Sequence, residues 1–217
     1  MWSKKEADTS IRGLPFYVSR SAFSKADDND KATYIIAAFL VLSMLCIIFR
    51  FSAADATHSS ALSEGVCVRI IREIAAFFPE VFSKEQVTRF AEIIEYPVRK
   101  CAHFSEYAVL SITVNLYLWI CYHIERFFVK EKVSMWNFLW RAEAFCAIYA
   151  CSDELHQYFV PGRSCKFFDV CVDSTGAFFG ALLFWGIFHL REQKRERKRS
   201  VQQCKERTQT NIVCDGC

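Results

Sequence analysis

The sequence predicts an all-α protein, an integral membrane four-helix bundle with short amphipathic helices on the extracytoplasmic side. Hydrophobic residues make up 53% of the 217 residues and aromatic residues 16%, and the charged residues are excluded from a few long apolar stretches. A soluble helical protein would instead carry charges along its exposed faces. The formal net charge is only +3, and no basic stripe is interleaved with stacking aromatics, so we expect no nucleic-acid partner.

The first predicted span covers residues 32–49, between Lys31 and Arg50. A helix of about 20 mostly apolar residues is long enough to cross the hydrocarbon core. The polar stretch before it is too long for the n-region of a typical signal peptide, and no small-residue cleavage pattern follows directly. We therefore expect this span to be retained.

The second and fourth spans are predicted at residues 103–123 and 168–190. The second contains the uninterrupted apolar run YAVLSITVNLYLWICY, and the fourth contains STGAFFGALLFWGIFHL. Asp169 and Asp173 lie in the first two turns of the fourth span.

The third predicted span, residues 133–152, is the most polar of the four. Arg141 and Glu143 lie near its middle, where charges facing lipid would be costly. Two interpretations remain open: either these side chains snorkel, or the span begins near Ala142 and continues through Leu155.

The distribution of Lys and Arg predicts the orientation. Cations are frequent in the N-terminal tail, in the connection between the second and third spans, and in the C-terminal tail, which opens with REQKRERKR. We therefore expect a multi-pass protein of the cell membrane with both termini cytoplasmic. The predicted organisation is a cytoplasmic tail at 1–31, a four-span membrane domain at 32–190 and a basic cytoplasmic tail at 191–217.

Two segments are then left on the outside, residues 51–100 and the turn at 153–167. The first has apolar residues at helical spacing, with Ser63 as an N-cap and Pro79 as a breaker. We expect short amphipathic helices on the outer surface. Their apolar residues are Val66, Ile70, Ile74, Phe77, Phe78, Val81 and Phe82.

Ionisable residues gather at the outer ends of the second, third and fourth spans. Helical spacing places them on three stripes: Arg99, His103 and Glu106; Asp153, His156 and Gln157; and Asp169, Asp173, Gly176 and Gly180. Because glycines permit close approach of helices in lipid, the stripe that carries Asp169 and Asp173 should face neighbouring helices.

Acids outnumber cations in this predicted cluster. Five carboxylates face three cations: Glu106, Asp153, Glu154, Asp169 and Asp173 against Arg99, Lys100 and Arg163. The excess predicts a shared proton, a charged His103 or His156, or a bound cation. The alternative is a structural network that fixes helix register, in which Arg163 forms a salt bridge with Asp169 or Asp173.

Two blocks of the chain closely resemble the signatures of the VanZ-like family of bacterial membrane proteins. They are RKCAHFSEYAVL and DELHQYFVPGRSCKFFDVCVDSTGAFFG, and FSAADATHSSALS resembles that family's serine-rich segment after the first span. The resemblance implies a four-span protein of the bacterial envelope, in a family named after a member linked to teicoplanin resistance, with others linked to lipopeptide antibiotics. The characteristic polar positions it carries over are Arg99, Lys100, His103, Glu106, Tyr107, Asp153, Glu154, His156, Gln157, Pro161, Gly162, Arg163, Asp169 and Gly176.

The functional hypothesis is a site at the outer leaflet for a lipid-linked envelope substrate or for a glycopeptide or lipopeptide antibiotic. Its candidate catalytic residues are Glu106, Glu154, His103, His156 and Asp153, and its candidate substrate-binding residues are Arg99, Lys100, Gln157, Arg163, Asp169 and Asp173. The alternative hypothesis is a non-enzymatic membrane protein that acts through partners or surface composition. Membrane lipids are the expected surroundings, and no feature requires a particular oligomer.

Metal and redox chemistry receive less support from the residues. His103 and Glu106, like Asp153 and His156, are spaced one turn apart as metal ligands can be, but this spacing is common by chance. We assign no metal ligand and no cofactor. The tail ends in a lone CxxC motif, Cys214 to Cys217, without a second pair beyond Cys204.

Overall fold

The computed structural model describes residues 18–53, 65–73, 76, 84–125, 134–163 and 165–214, with side chains to residue 203. Across these ranges the regular structure is helical and no strand is present, which confirms the all-α prediction. The helices are α1 (Arg20–Lys25), α2 (Asp28–Ser52), α3 (Lys84–Glu125), α4 (Met135–Tyr158) and α5 (Phe167–Cys214). Residues 65–73 are also helical.

The chain divides into two compact units, Met1–Ala181 and Leu182–Cys217. The first unit contains α1 to α4 and the beginning of α5. The second unit contains the remainder of α5. Every contact described below that bears on the candidate site lies within the first unit.

Three stretches of the described chain are long and apolar enough to cross a membrane: Asp28–Ser52, Glu85–Glu125 and Phe167–Gln203. Their mean hydropathies are 2.6, 1.4 and 1.5, respectively. The helix α4 is not among them. It carries Arg141 and Glu143 in its middle and Asp153 and Glu154 near its end, and these charges lower its apolar character.

Of these three helices, α2 has the highest mean hydropathy. It starts at Asp28, where the side chain of the N-cap Asp27 accepts a hydrogen bond from the Asp30 N–H, so it extends past the predicted span at both ends. Much of its surface is apolar and uncovered, with Ile35, Phe39 and Leu42 about three-fifths exposed. Such a surface is suited to contact with lipid tails.

The short helix α1 lies inside the segment predicted as a polar tail, but it packs on the end of α3. Its Ala22 is fully buried in a cluster with Ile120 and Ile124. The backbone N–H of Ser19 donates a hydrogen bond to Glu125. Part of the predicted tail therefore belongs to the packed unit.

The second predicted span, residues 103–123, lies inside a longer helix. The helix α3 begins at Lys84 and continues without interruption through Pro97 to Glu125. Residues 84–102 hold apolar side chains at helical spacing, and Val87 and Ala91 are buried. A continuous helix buries this face despite Pro97, which removes one backbone hydrogen bond and crowds the carbonyl of the preceding turn.

The predicted surface helices are described only in part. Val66 and Ile70 lie in the helical residues 65–73 and are about half exposed. The remaining predicted members lie outside the described residues: Ser63, Ile74, Phe77, Phe78, Pro79, Val81 and Phe82.

The last two helices also differ from their predicted bounds. The helix α4 begins at Met135, with Ser134 as its N-cap, so the alternative start near Ala142 was wrong. It ends at Tyr158, beyond either predicted end. The helix α5 does not stop near Leu190 but continues to Cys214, because residues 191–203 contain mostly good helix formers and no Gly or Pro.

Close packing of α5 against α3 brings together two of the helices that carry the predicted site residues. A methyl group at Gly176 would lie 2.2 Å from the backbone oxygen of Phe104, and one at Gly180 would lie 2.2 Å from that of Ala108. Only glycine fits at these two positions, where α5 packs against the backbone of α3. The predicted role of this stripe in helix packing is confirmed.

Candidate functional site

A polar cavity of about 170 Å³ lies where α3, the end of α4, the turn after it and the start of α5 meet. Among the described residues that line it, four side chains are cationic and one is a carboxylate. The lining residues are Tyr96, Arg99, Lys100, His103, Gln157, Gly162, Arg163, Lys166 and Asp169. The rim of the cavity is therefore positively charged.

The cations on α3 are held by neighbouring acids. Lys100 Nζ lies 2.5 Å from Asp169 Oδ1 on α5, and it also lies 5.3 Å from the centre of the Tyr96 ring. Arg99 Nη2 lies 3.5 Å from Glu95 Oε1, one turn earlier on the same helix. These contacts orient the two cations toward one end of the helices.

The turn after α4 places the third cation. Gly162 has a φ of 76°, a left-handed conformation in which a side chain would be strained. Arg163 donates from Nη1 to Gln157 Oε1 at 3.1 Å and from Nη2 to the Phe51 carbonyl at 3.4 Å. Gln157 in turn donates from Nε2 to Asp153 Oδ2 at 3.0 Å. The guanidinium is thus tied to α4 and to the end of α2.

Three carboxyl groups lie behind the cavity. Asp153 is 3% exposed, and Glu154 and Asp173 are each 1% exposed. Glu154 Oε2 accepts the Lys166 backbone N–H at 2.8 Å, and His103 Nδ1 lies 3.8 Å from Asp173 Oδ1. Within the described residues, Glu154 Oε1 and both Asp173 oxygens accept no hydrogen bond. Burial of such groups is costly, and the adjacent cationic rim offsets part of that cost.

The structure brings most of the predicted site residues together. Those that line the cavity are Arg99, Lys100, His103, Gln157, Arg163 and Asp169. Asp153, Glu154 and Asp173 form the buried layer behind it. Glu106 and His156 do not line the cavity.

Glu106 and His156 are connected to the site through Asp153. Each lies within electrostatic range of the Asp153 carboxylate. The His156 ring packs on Phe49, with the ring centres 4.7 Å apart, and its Nε2 has no hydrogen-bond partner among the described residues. A direct role at the cavity is therefore better supported for His103 than for His156.

Two lining residues were missed by the sequence reasoning, Tyr96 and Lys166. Both sit close to residues that were recognised: Tyr96 is one turn before Lys100, and Lys166 accepts the Asp169 N–H on its backbone oxygen at 2.9 Å. The predicted start of the second span near His103 excluded Tyr96. The uninterrupted α3 helix is what places it at the cavity.

Two further observations bear on the chemistry of the site. In the described ranges, no group of three or more His, Cys, Asp or Glu side chains is arranged to hold a metal ion. A second cavity, of about 360 Å³, lies between α2, α3 and α4 and is lined by mostly apolar residues such as Leu42, Val114 and Phe145. The polar cavity is thus the better candidate for recognition of a charged ligand.

Comparison with known protein families identifies the family of the chain. A model of the family described as VanZ/LLP1 matches residues 37–189, which is well over half of the chain and includes every site residue named above. No curated protein and no solved structure matches.

Proposed function

Because the chain belongs to the VanZ/LLP1 family, we propose that it crosses the membrane four times and binds an anionic envelope ligand at the outer face. In this topology α4 crosses the membrane as the third span, in addition to α2, α3 and α5, and both termini are cytoplasmic. The distribution of Lys and Arg in the flanks supports this orientation. The cavity then opens at the outer leaflet.

The cationic lining of the polar cavity carries the proposal. Arg99, Lys100, Arg163 and Lys166 surround one space, and guanidinium groups bind phosphate or carboxylate oxygens in a bidentate manner. At the outer leaflet, an anionic ligand of this size is the headgroup of a lipid or of a lipid-linked envelope precursor. An antibiotic that carries an anionic group would meet the same cations.

The buried acids and one imidazole give the site its ionisable groups. Asp153 and Glu154 lie buried behind the lining cations, and His103 is the imidazole among the described lining residues. Glu106 and His156 influence the site through Asp153. We propose that this protein contributes to antibiotic resistance by binding or modifying the ligand.

Lipid binding tests the proposal. The purified protein would be placed in nanodiscs of phosphatidylcholine with or without phosphatidic acid, and bound lipid would be measured by native mass spectrometry. We expect retention of phosphatidic acid, reduced at least about 10-fold by Arg163→Gln combined with Lys166→Gln. Each charged hydrogen bond lost is worth about 1.5–3 kcal/mol.

The matched control is Arg89→Gln, which removes an exposed cation from α3 away from the cavity. Its lipid retention should equal that of the original protein. Equal loss of phosphatidic acid in the control and in the cavity variant would mean that binding depends on overall charge, and the proposed site would be wrong.

The second candidate function is a structural role for the charged side chains, favoured by the ion pairs that join α3 to α5. Lys100 with Asp169, and His103 with Asp173, connect the two helices at successive turns. If this is their whole role, Lys100→Met would lower the stability of the protein without changing retention of phosphatidic acid.

A further inference from the structure

His103 is the only imidazole among the described residues that line the polar cavity. Its Nδ1 lies 3.8 Å from Oδ1 of Asp173, a carboxylate only 1% exposed. A carboxylate next to one imidazole nitrogen holds the ring in the tautomer with its proton on that nitrogen. The separation is longer than a hydrogen bond, as is common in catalytic pairs without a ligand.

The other ring nitrogen then carries a lone pair. Because Nδ1 faces the buried Asp173, Nε2 is the nitrogen of His103 available to the cavity. The four cations around the cavity would hold phosphoryl oxygens beside it. His103 thus combines the two requirements for nucleophilic attack on phosphorus: an oriented lone pair and an electropositive binding site.

We propose that His103 is the nucleophile in the hydrolysis of a lipid diphosphate to a lipid monophosphate and inorganic phosphate. The proposal deepens the proposed function and rests on it, since the same cations must first bind the headgroup. It assigns a substrate class and a reaction to the site. Asp173 is assigned the role of a positioning residue.

In the first step, the Nε2 lone pair forms a bond to the terminal phosphorus, and the bond from that phosphorus to the bridging oxygen breaks. The electron pair of the broken bond stays on the bridging oxygen, which leaves as the lipid monophosphate. The ring retains its Nδ1 proton and becomes positively charged. The adjacent Asp173 carboxylate balances that charge.

The leaving group explains the choice of a diphosphate. A lipid monophosphate would release an alkoxide, which needs a proton from a nearby acid. Of the lining residues that the structure describes, Asp169 alone carries a carboxyl group, and it forms an ion pair with Lys100 at 2.5 Å. A departing phosphate needs no proton, and the lining cations stabilise its charge.

In the second step, water attacks the phosphorus bound to His103. A new oxygen–phosphorus bond forms, the nitrogen–phosphorus bond breaks, and its electron pair returns to Nε2. Both protons of the water stay on the released phosphate. The sum of the two steps is lipid diphosphate plus water giving lipid monophosphate plus dihydrogen phosphate.

The full-length protein in nanodiscs would be given geranylgeranyl diphosphate, and released phosphate would be measured. We expect release from this probe and none from geranylgeranyl monophosphate. His103→Gln should reduce release at least about 100-fold. His123→Gln, at the other end of the same helix, is the control and should release phosphate at the original rate.

The covalent intermediate gives a second, direct measurement. With the terminal phosphate radiolabelled, rapid acid-free denaturation should recover label on the peptide that contains His103, and the label should be labile in acid. Asp173→Asn should lower kcat at least about 10-fold with KM little changed, because it acts on the ring and not on the headgroup. A purely structural role would change protein yield instead.

The outcomes separate the two proposals. Retention of phosphatidic acid without phosphate release would overturn the hydrolase and leave the binding site standing. Release that persists in His103→Gln, or label on another residue, would overturn the assignment of the nucleophile. Absence of both retention and release would overturn the binding site and the hydrolase together.

Discussion

At the residue scale, the central feature is the arrangement of buried acids behind a rim of cations. Asp173 and Glu154 are each 1% exposed, and carboxyl groups buried to this extent are costly without partners. The cations stand in front of them and are themselves held by Asp169, Glu95 and Gln157. The network should therefore respond as a unit when one member is removed.

The ion pair between Lys100 and Asp169 gives the first prediction. Each side chain is 16% exposed, so removal of one partner leaves the other charge poorly solvated. Lys100→Met and Asp169→Asn should each lower the stability of the protein. The double variant should lose less stability than the sum of the two single losses, with a coupling free energy of about 1–3 kcal/mol. Thermal unfolding in detergent measures all three.

The exposed pair of Lys31 and Asp28 is the matched control. Its atoms lie 3.2 Å apart, but the Asp28 side chain is fully exposed, so a cycle there should show no measurable coupling. Additive effects at Lys100 and Asp169, equal to those of the control, would show that the two side chains do not form one network.

At the element scale, the crossing of α3 and α5 sets the geometry of the site. Gly176→Ala would place a methyl group 2.2 Å from the backbone oxygen of Phe104, and backbone atoms cannot move aside as a flexible side chain can. We expect a loss of stability of about 1–3 kcal/mol together with weaker retention of phosphatidic acid. Gly186→Ala meets nothing within 4 Å and should change neither measurement.

The long α5 helix supports a prediction about the tail. Its side chains from Arg191 to Gln203 are mostly exposed and largely charged, and the site lies entirely in the other unit. Deletion of everything after Arg199 should leave retention of phosphatidic acid unchanged in nanodisc measurements. Loss of retention at normal membrane levels would instead implicate the tail and its cysteines.

The helical fold class could be predicted from the sequence, but the bounds of helices could not. The spacing of charges grouped Arg99, His103 and Gln157, which line the cavity, but it also included Glu106 and His156, which do not. The start of α3 at Lys84 was missed because residues 51–100 were assigned to the outer surface, whereas burial of Val87 and Ala91 favours one continuous helix. The contact between Arg163 and Phe51 depends on how the turn after α4 folds back toward α2. Local sequence patterns do not predict such a contact.

At the scale of the whole molecule, the prediction concerns topology. Reporter proteins fused at the turn near Pro161 should be extracytoplasmic, and those fused near Lys130 or at either terminus should be cytoplasmic. This pattern requires α4 to cross the membrane despite Arg141 and Glu143. A cytoplasmic reporter at Pro161 would place the cavity on the inner face of the membrane. The proposed outer-leaflet ligand would then be wrong.

The most direct measurement is an experimental structure of the protein in nanodiscs that contain phosphatidic acid. The account predicts a lipid phosphate in the polar cavity, within hydrogen-bond distance of Arg163 and Lys166, with Asp153, Glu154 and Asp173 buried behind it. The contrary result would be an empty cavity at saturating lipid, or charged groups separated by more than about 8–10 Å, the distance over which salt screens them from one another.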